Sequence, residues 1–405
     1  MAHNWAVTPR KRGALRVIDL LTTPLAALDR LTRRRSSTGD APRRILVVEC
    51  WQLGDAIMAV PFLRALRARF PHAHVALLCK ASTRTLLEPS ALVDEFVVAN
   101  LPWTAFSGKY ALSRYVDGSV RALVRRLRSA HYDVTVDARS DVRANVLTWL
   151  TRAPMRIGFG GAGARLLTHR VPGPRADTHK VEDWLAMLTP LGGAAPATEP
   201  RIVLDPEGVA SIERWLRTHR IAPTTRLVAI HPSARLDVRR WPIERFAALA
   251  RALQSRSGVQ VVAFVDPDGY GHELAAIDGV VTVRPTLAEL PAYLASCDLF
   301  VGNDSGPAHI AGAVGTPTVT IFGPQVAAWY RPFGAEHRVV QIDDVPCRPC
   351  FDQCDRVEHV CLTGIDAARV LAVVEERLDE IGASRPPRRG SVASATATPH
   401  YLSRL

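Results

Sequence analysis

ILVVECWQLGDAIMAVPFLRALRARFP, residues 45–71, changes character twice. Ile45 to Glu49 is a short apolar run rich in β-branched residues, Cys50 to Asp55 is a glycine-containing turn, and from Ala56 to Phe70 the apolar positions recur at helical spacing. Strand, glycine turn and helix in that order open an α/β unit. Working outward, Val75–Leu78, Phe96–Val98 and Val134–Val136 read as further strands, the last preceded by a basic helix over Gly118–Ser129. Strands separated by helices of this length predict a parallel sheet covered on both faces.

The same alternation restarts near Ala222. Leu227–Ile230 reads as a strand, Pro242–Ser255 as a helix and Val259–Val265 as a strand, and Leu287–Ser296, Leu299–Gly302, Pro307–Val314 and Thr318–Phe322 continue the series. Between the two lies Leu191–Pro206, rich in Gly, Ala and Pro, the expected interdomain connection. A chain of 405 residues suits two such domains. The expected boundaries are an extension over 1–42, domains over 43–200 and 201–380, and a tail of Pro, Arg, Ser and Ala over 381–405.

Composition narrows the function classes. At 47% hydrophobic and 22% charged the chain is neither disordered nor a coiled coil, and its Gly and Pro show no three-residue period. The longest uncharged run, Ser305–Tyr330, carries four Gly and three Pro, so it does not read as a membrane span. The first residues do not read as a signal peptide, and seven cysteines favour a reducing compartment; the expected location is the cytoplasm. The net charge of +12 is uneven: residues 1–44 hold ten Arg or Lys against three Asp. On a helical wheel Leu15, Val17, Ile18, Leu21, Leu25 and Leu28 share a broad side opposite Arg16, Thr23 and Arg30, with Pro24 kinking the middle and Arg33 to Arg35 following. That pattern fits a helix at an anionic membrane surface, or a helix packed on the protein's own body.

Four stretches carry candidate chemistry. Asp55 sits where the first strand feeds its helix, the sheet edge at which open α/β proteins bind ligands; its other reading is a helix N-cap. VGNDSGPAHIAGAVGTP, residues 301–317, ends a strand in Asn-Asp-Ser-Gly and starts a helix with Pro307, so the free N–H groups there and the Ser305 hydroxyl make a phosphate cradle, or simply a capped buried helix. HPSARLDVRRWP, residues 231–242, brings Arg235, Arg239 and Arg240 to the same edge, where paired guanidinium donors suit a diphosphate, and Trp241 anchors the loop. Glu273, shortly after a strand, is placed to accept from a ribose. Cys347, Cys350, Cys354 and Cys361 begin in metal-knuckle spacing and suit a structural zinc or iron; free thiols are the alternative. Neither GxxxxGK[ST] nor a clean GxGxxG is present, which disfavours a P-loop nucleotidase and a dinucleotide oxidoreductase.

Taken together these stretches resemble glycosyltransferase family 9, the heptosyltransferases of the ADP-heptose:lipopolysaccharide type. The resemblance covers residues 43 to 378 and rests on ILVVECWQLGDAIMAVPFLRALRARFP, on DSGPAHIAGAVGTPTVTIFGP, on HPSARLDVRRWP, on VEDWLAMLTPLG and on PCRPCFDQC with a later Cys. It implies a GT-B fold, two Rossmann-like domains facing a central cleft, and inverting transfer that requires no cofactor or divalent metal. Asp55 then corresponds to the general base, Asp304, Ser305, Gly306 and His309 to the donor diphosphate site, and Glu273 to a nucleoside contact. The family's usual lysine before x-Trp-Pro is Arg239 here, which preserves charge with different geometry. The partners implied are ADP-heptose and a lipopolysaccharide or related glycolipid acceptor, with peripheral contact to the inner membrane and no specific nucleic acid. The alternatives are an autotransporter or other protein glycosyltransferase, and a basic anion- or nucleic-acid-binding module; the basic residues lack the interleaved aromatics of a single-strand groove.

Overall fold

A computed structural model describes residues 20, 22–31, 41–104, 118–139, 141–175 and 177–384. The chain divides into two compact units, 1–198 and 199–405.

The first unit is built on β1 (Arg44–Glu49), β2 (His74–Cys79), β3 (Glu95–Val98), β4 (Val134–Asp137), β5 (Met155–Phe159) and β6 (His169–Val171), all parallel in the order β3-β2-β1-β4-β5-β6. β1 is central, paired to β2 and β4 with Val47 opposite Leu77 on one side and Val136 on the other. Both of its faces are covered, which is why ILVV is continuously apolar. Leu46, Val48, Ala76, Leu78 and Val97 form one core with Leu127 and Leu147 of the helices at Gly118–Ser129 and Val142–Leu150.

The second unit repeats the arrangement with β7 (Arg226–His231), β8 (Val259–Phe264), β9 (Val281–Val283), β10 (Leu299–Asn303), β11 (Thr318–Ile321) and β12 (His337–Val340), parallel in the order β12-β11-β10-β7-β8-β9. Counted within its unit, that is again 3-2-1-4-5-6. Both units therefore have the doubly wound dinucleotide-fold order, whose ligand crevice opens at the carboxyl ends of the first and fourth strands. Two α/β domains of this kind are the GT-B fold expected from the sequence.

Three details differ from the sequence reading. The single helix expected over Ala56–Phe70 is two, Leu53–Met58 and Val60–Arg69, stepping at Ala59. Pro61 explains the step: it has no N–H to continue the ladder but suits the first turn of a new helix. The last helix, Ala367–Ser384, runs past residue 380 into the stretch expected to be tail. Residues 22–31 are helical through Pro24, the residue at which the sequence predicts a kink, and Leu25 and Leu28 are exposed. Leu15, Arg16, Val17, Ile18, Leu21, Arg33 to Arg35 and the tail from 385 lie outside the described residues.

Candidate active site

Each unit presents a cluster of polar side chains at the switch between its first and fourth strands. In the first unit β1 ends in Glu49, and the turn that follows starts the helix Leu53–Met58 with Asp55 at its third position. Asp55 is therefore not the N-cap; Gln52 is, and its N–H donates to Asp55 Oδ2 at 3.1 Å. The other carboxylate oxygen, Oδ1, lies 2.5 Å from Nη2 of Arg139, which follows the end of β4. Arg139 also stacks over the Trp51 ring, 5.0 Å from its centroid, and its backbone N–H donates to Asp137 Oδ1 at 2.6 Å. Lys80, after β2, donates to Gln52 Oε1 and to the Thr104 carbonyl. Asp55 is thus a carboxylate held by a backbone amide and a guanidinium at the edge where this fold binds ligands.

Glu49 sits directly behind it. The side chain is buried; Oε1 accepts from the Trp51 N–H at 2.9 Å, and Oε2 has no partner among the described residues. Burial pushes its carboxyl from 4.5 up to about 7, opposed by Arg139 and reinforced by the charge of Asp55. Burial likewise raises Asp137 well above the ordinary carboxylate range, whereas the Arg143 guanidinium outweighs burial at Asp141 and holds that carboxyl below it. Sequence reasoning singles out Asp55 and not its neighbours Glu49 and Arg139: Glu49 closes an apolar strand like any edge residue, and Arg139 stands in no short motif.

In the second unit Asn303, the last residue of β10, ties the two edge loops together. Its Nδ2 donates to the Pro232 carbonyl at 2.7 Å, and its Oδ1 accepts from the Trp241 N–H at 3.0 Å. Gly302 permits this approach, since a Cβ there would stand 2.7 Å from the His231 carbonyl oxygen. Trp241 is fully buried and donates from Nε1 to the Ile365 carbonyl, the anchoring role its sequence position suggested. His231 Nε2 lies 3.0 Å from Asp266 Oδ1 after β8, and although burial acts upward on Asp266, this partner holds its carboxyl below the ordinary range.

The loop brings Arg239 to Asp304, with Nη1 3.1 Å from Oδ2. It is also gripped from elsewhere: Nε and Nη2 donate to the two oxygens of Asp352, each at 2.7 Å. The guanidinium expected to face a diphosphate directly thus rests between two carboxylates. Arg235 is exposed on the same loop, and Arg240 is engaged locally with the Ala234 carbonyl, Asp237 and the Tyr270 ring. Ser305 is the N-cap of the helix Gly306–Ala313, in extended conformation; its side chain makes no cap bond, and its buried Oγ has no partner among the described residues. A helix start with an unsatisfied hydroxyl suits a phosphate oxygen. His309 lies buried one turn further along the same helix, and Glu273 is half-exposed, accepting from the Gly271 N–H at 3.1 Å.

The four clustered cysteines are free thiols that line one recess together with Arg348 and His359. Burial raises the Cys350 and Cys361 thiols above their ordinary value. Among the described residues no three His, Cys, Asp or Glu side chains converge as a metal ion would require.

Glycosyltransferase family 9 (heptosyltransferase) is the family whose model matches, over residues 120–361, more than half of the chain. Lipopolysaccharide heptosyltransferase 3 of Escherichia coli is 27% identical over 342 residues, covering 80% of this chain and 96% of that protein. Lipopolysaccharide heptosyltransferase 2 of Salmonella typhimurium is 26% identical, covering 84% and 99%. Among solved structures, a glycosyl transferase family 9 protein from Veillonella parvula superposes with a TM-score of 0.70 at 23% identity, covering 84% of this chain and 98% of that one. The ADP-heptose lipopolysaccharide heptosyltransferase II of E. coli does so at 0.64 and 24% identity, covering 83% and 99%. These two establish the shared fold.

Proposed function

The chain belongs to glycosyltransferase family 9, and from that premise we propose that it transfers a heptose from ADP-heptose, with inversion, onto a lipopolysaccharide core or related cell-envelope glycan at the cytoplasmic side of the membrane. The observation that carries the reading is that each unit bears its own chemistry at its switch point: an anchored carboxylate, Asp55, on one, and the unpartnered Ser305 hydroxyl at a helix start, beside Arg239, on the other. The names of the relatives support heptose as the sugar.

In this mechanism an acceptor hydroxyl oxygen attacks the anomeric carbon opposite the leaving group. The bond from that carbon to the diphosphate oxygen breaks, and its electron pair leaves with the nucleoside diphosphate. Asp55 accepts the hydroxyl proton as the new bond forms. Arg139 and the Gln52 N–H hold the carboxylate in one orientation, so the base needs no reorganisation at the moment of transfer. The N–H groups of Gly306 onward, the Ser305 hydroxyl and Arg239, with Arg235 beside it on the loop, stabilise the charge that develops on the diphosphate. Asp304 positions Arg239, Glu273 takes the ribose hydroxyls, and His309 supports the helix from within.

The test is release of ADP from ADP-heptose with purified acceptors. Acceptor-dependent release on a truncated lipopolysaccharide is expected, together with a loss of about 100-fold or more in Asp55→Asn, the scale of a positioned general base. Transfer to a protein acceptor alone would replace the acceptor half of the reading, and a folded Asp55→Asn retaining wild-type turnover would remove the base. Absence of turnover with every acceptor, accompanied by salt-sensitive nucleic-acid binding, would leave a binding module.

A further inference from the structure

The transfer step engages Asp55 and Arg139 and leaves one buried acid beside them unused. Glu49 is 1% exposed and stands opposite Cys79 in the β1–β2 register. Its Oε1 accepts from the Trp51 N–H at 2.9 Å, and Oε2 has no hydrogen-bond partner among the described residues. The Trp51 ring is the surface over which the Arg139 guanidinium lies, 5.0 Å from its centroid, and the same guanidinium reaches Asp55 Oδ1 at 2.5 Å. Glu49, Trp51, Arg139 and Asp55 are therefore consecutive links: the buried carboxyl fixes the backbone of the residue whose ring carries the cation that holds the base.

Charge makes these groups interdependent. Arg139 is the cation with most influence on Glu49; Lys80, beyond β2, acts the same way more weakly and is engaged with Gln52 Oε1 and the Thr104 carbonyl. The remaining neighbours offer no counter-charge. From β4 comes Asp137, an acid that burial raises well above the ordinary range, and from the ends of β1 and β2 come Cys50 and Cys79, thiols that burial pushes up. Glu49 and Asp55 thus have one guanidinium between them. A buried anion without a partner is costly, and burial pushes the Glu49 carboxyl from 4.5 up to about 7, with Arg139 opposing and the charge of Asp55 adding. Interaction between two titrating acids is mutual: an ionised Glu49 draws on the same cation and favours the proton on Asp55.

We propose that Glu49 is a positioning residue for the base: it shares the Arg139 guanidinium with Asp55 and so governs how readily Asp55 takes the acceptor's proton. The chemical consequence rests on the transfer reading, whereas the sharing is a property of the free chain. With Glu49 protonated, Arg139 serves Asp55 alone and the carboxylate is a weaker base. With Glu49 ionised, the cation is divided and Asp55 accepts a proton more readily. In either state the proton passes from the acceptor oxygen to Asp55; Glu49 sets the affinity and does not touch the substrate.

Two measurements test this. In the free protein, carbon-13 NMR of labelled carboxyls follows each titration, and in Asp55→Asn the Glu49 midpoint is expected to fall, since Arg139 then serves Glu49 alone. An unchanged or higher midpoint would overturn the sharing. In turnover with ADP-heptose and truncated lipopolysaccharide, wild-type kcat is expected to rise between pH 6 and 8. Glu49→Gln, which keeps the acceptor for Trp51, should lose that rise, falling about three- to tenfold below wild type at pH 8 and converging on it at pH 6, with KM for the donor unchanged. Glu49→Asp, which keeps an ionisable group, should retain the rise. A Glu49→Gln profile superimposable on wild type would reject the role, and one lowered by the same factor at every pH would reject it in favour of packing alone. Absence of wild-type turnover with every acceptor would remove the transfer reading, and the NMR titration would still decide the sharing.

Discussion

At the scale of the residue, Glu49 carries the sharpest consequence. Its folded value of about 7 lies above the ordinary 4.5, so between these two pH values the folded chain binds more protons than the unfolded chain. Stability contributed by protonated Glu49 is present below pH 4.5 and is lost as pH rises to 7, after which nothing more changes. Gln keeps the acceptor for the Trp51 N–H and removes the ionisation. Glu49→Gln is therefore expected to raise stability above pH 7 by up to about 3 kcal/mol, with no gain at pH 4.5, in denaturant titrations. A variant no more stable than wild type at pH 8 would show that Arg139 already compensates the charge. The place of Asp55 at the sheet edge was legible in the sequence because a glycine turn after a strand opens onto that edge. Glu49 and Arg139 were not, because what defines them is the β1–β4 pairing, and nothing in the sequence states which strands are neighbours.

At the scale of the element, the loop after β7 is governed by a residue far away in sequence. Arg239 was readable as a cation before Trp-Pro, and its meeting with Asp304 followed from both loops leaving the same sheet edge. Asp352 was not readable, since it lies between two cysteines and reaches Arg239 from a turn in which Phe351 and Asp352 both have positive φ, 51° and 67°. The stack of Phe351 on Trp329, 6.1 Å between centroids, helps fix that turn. A carboxylate that binds two guanidinium nitrogens competes with a diphosphate for the same donors. Asp352→Ala is therefore expected to tighten nucleoside diphosphate binding by about three- to tenfold, an energy within the range of one charge-assisted hydrogen bond, and Arg239→Ala to weaken it. Calorimetry with ADP reads both. Weaker binding in Asp352→Ala would mean that Asp352 positions Arg239 for the ligand and does not compete with it.

At the scale of the whole molecule, the duplicated sheet order was legible from two runs of strand, turn and helix, but the electrostatic contrast between the units was not, because burial sets it. In the first unit Glu49, at about 7, favours the folded state increasingly as pH falls below 7, and burial acts on Asp137 in the same direction. In the second unit His337 is buried against Thr318, and burial, with Arg201, His309, Arg331 and Arg377 adding to it, pushes its ring from 6.5 down to about 3. The unfolded chain takes a proton there below pH 6.5 and the folded chain refuses it, so this contribution is present above 6.5 and is lost as pH falls toward 3. The carboxyls held low by partners, Asp94, Glu95 and Asp141 in the first unit and Asp266 and Glu289 in the second, release their contributions only in more acid solution. Between pH 7.5 and 5.5 Glu49 and His337 therefore drive their units in opposite directions, each by on the order of 1–2 kcal/mol. Hydrogen exchange of the slowest amides, corrected for intrinsic rates, reads the units separately. Strands β1, β2 and β4 are expected to gain protection at pH 5.5 while β7, β10 and β11 lose it, and Glu49→Gln should diminish the gain in the first unit without altering the loss in the second. Parallel shifts in both units would reject the contrast and return the pH response to the net charge of the chain.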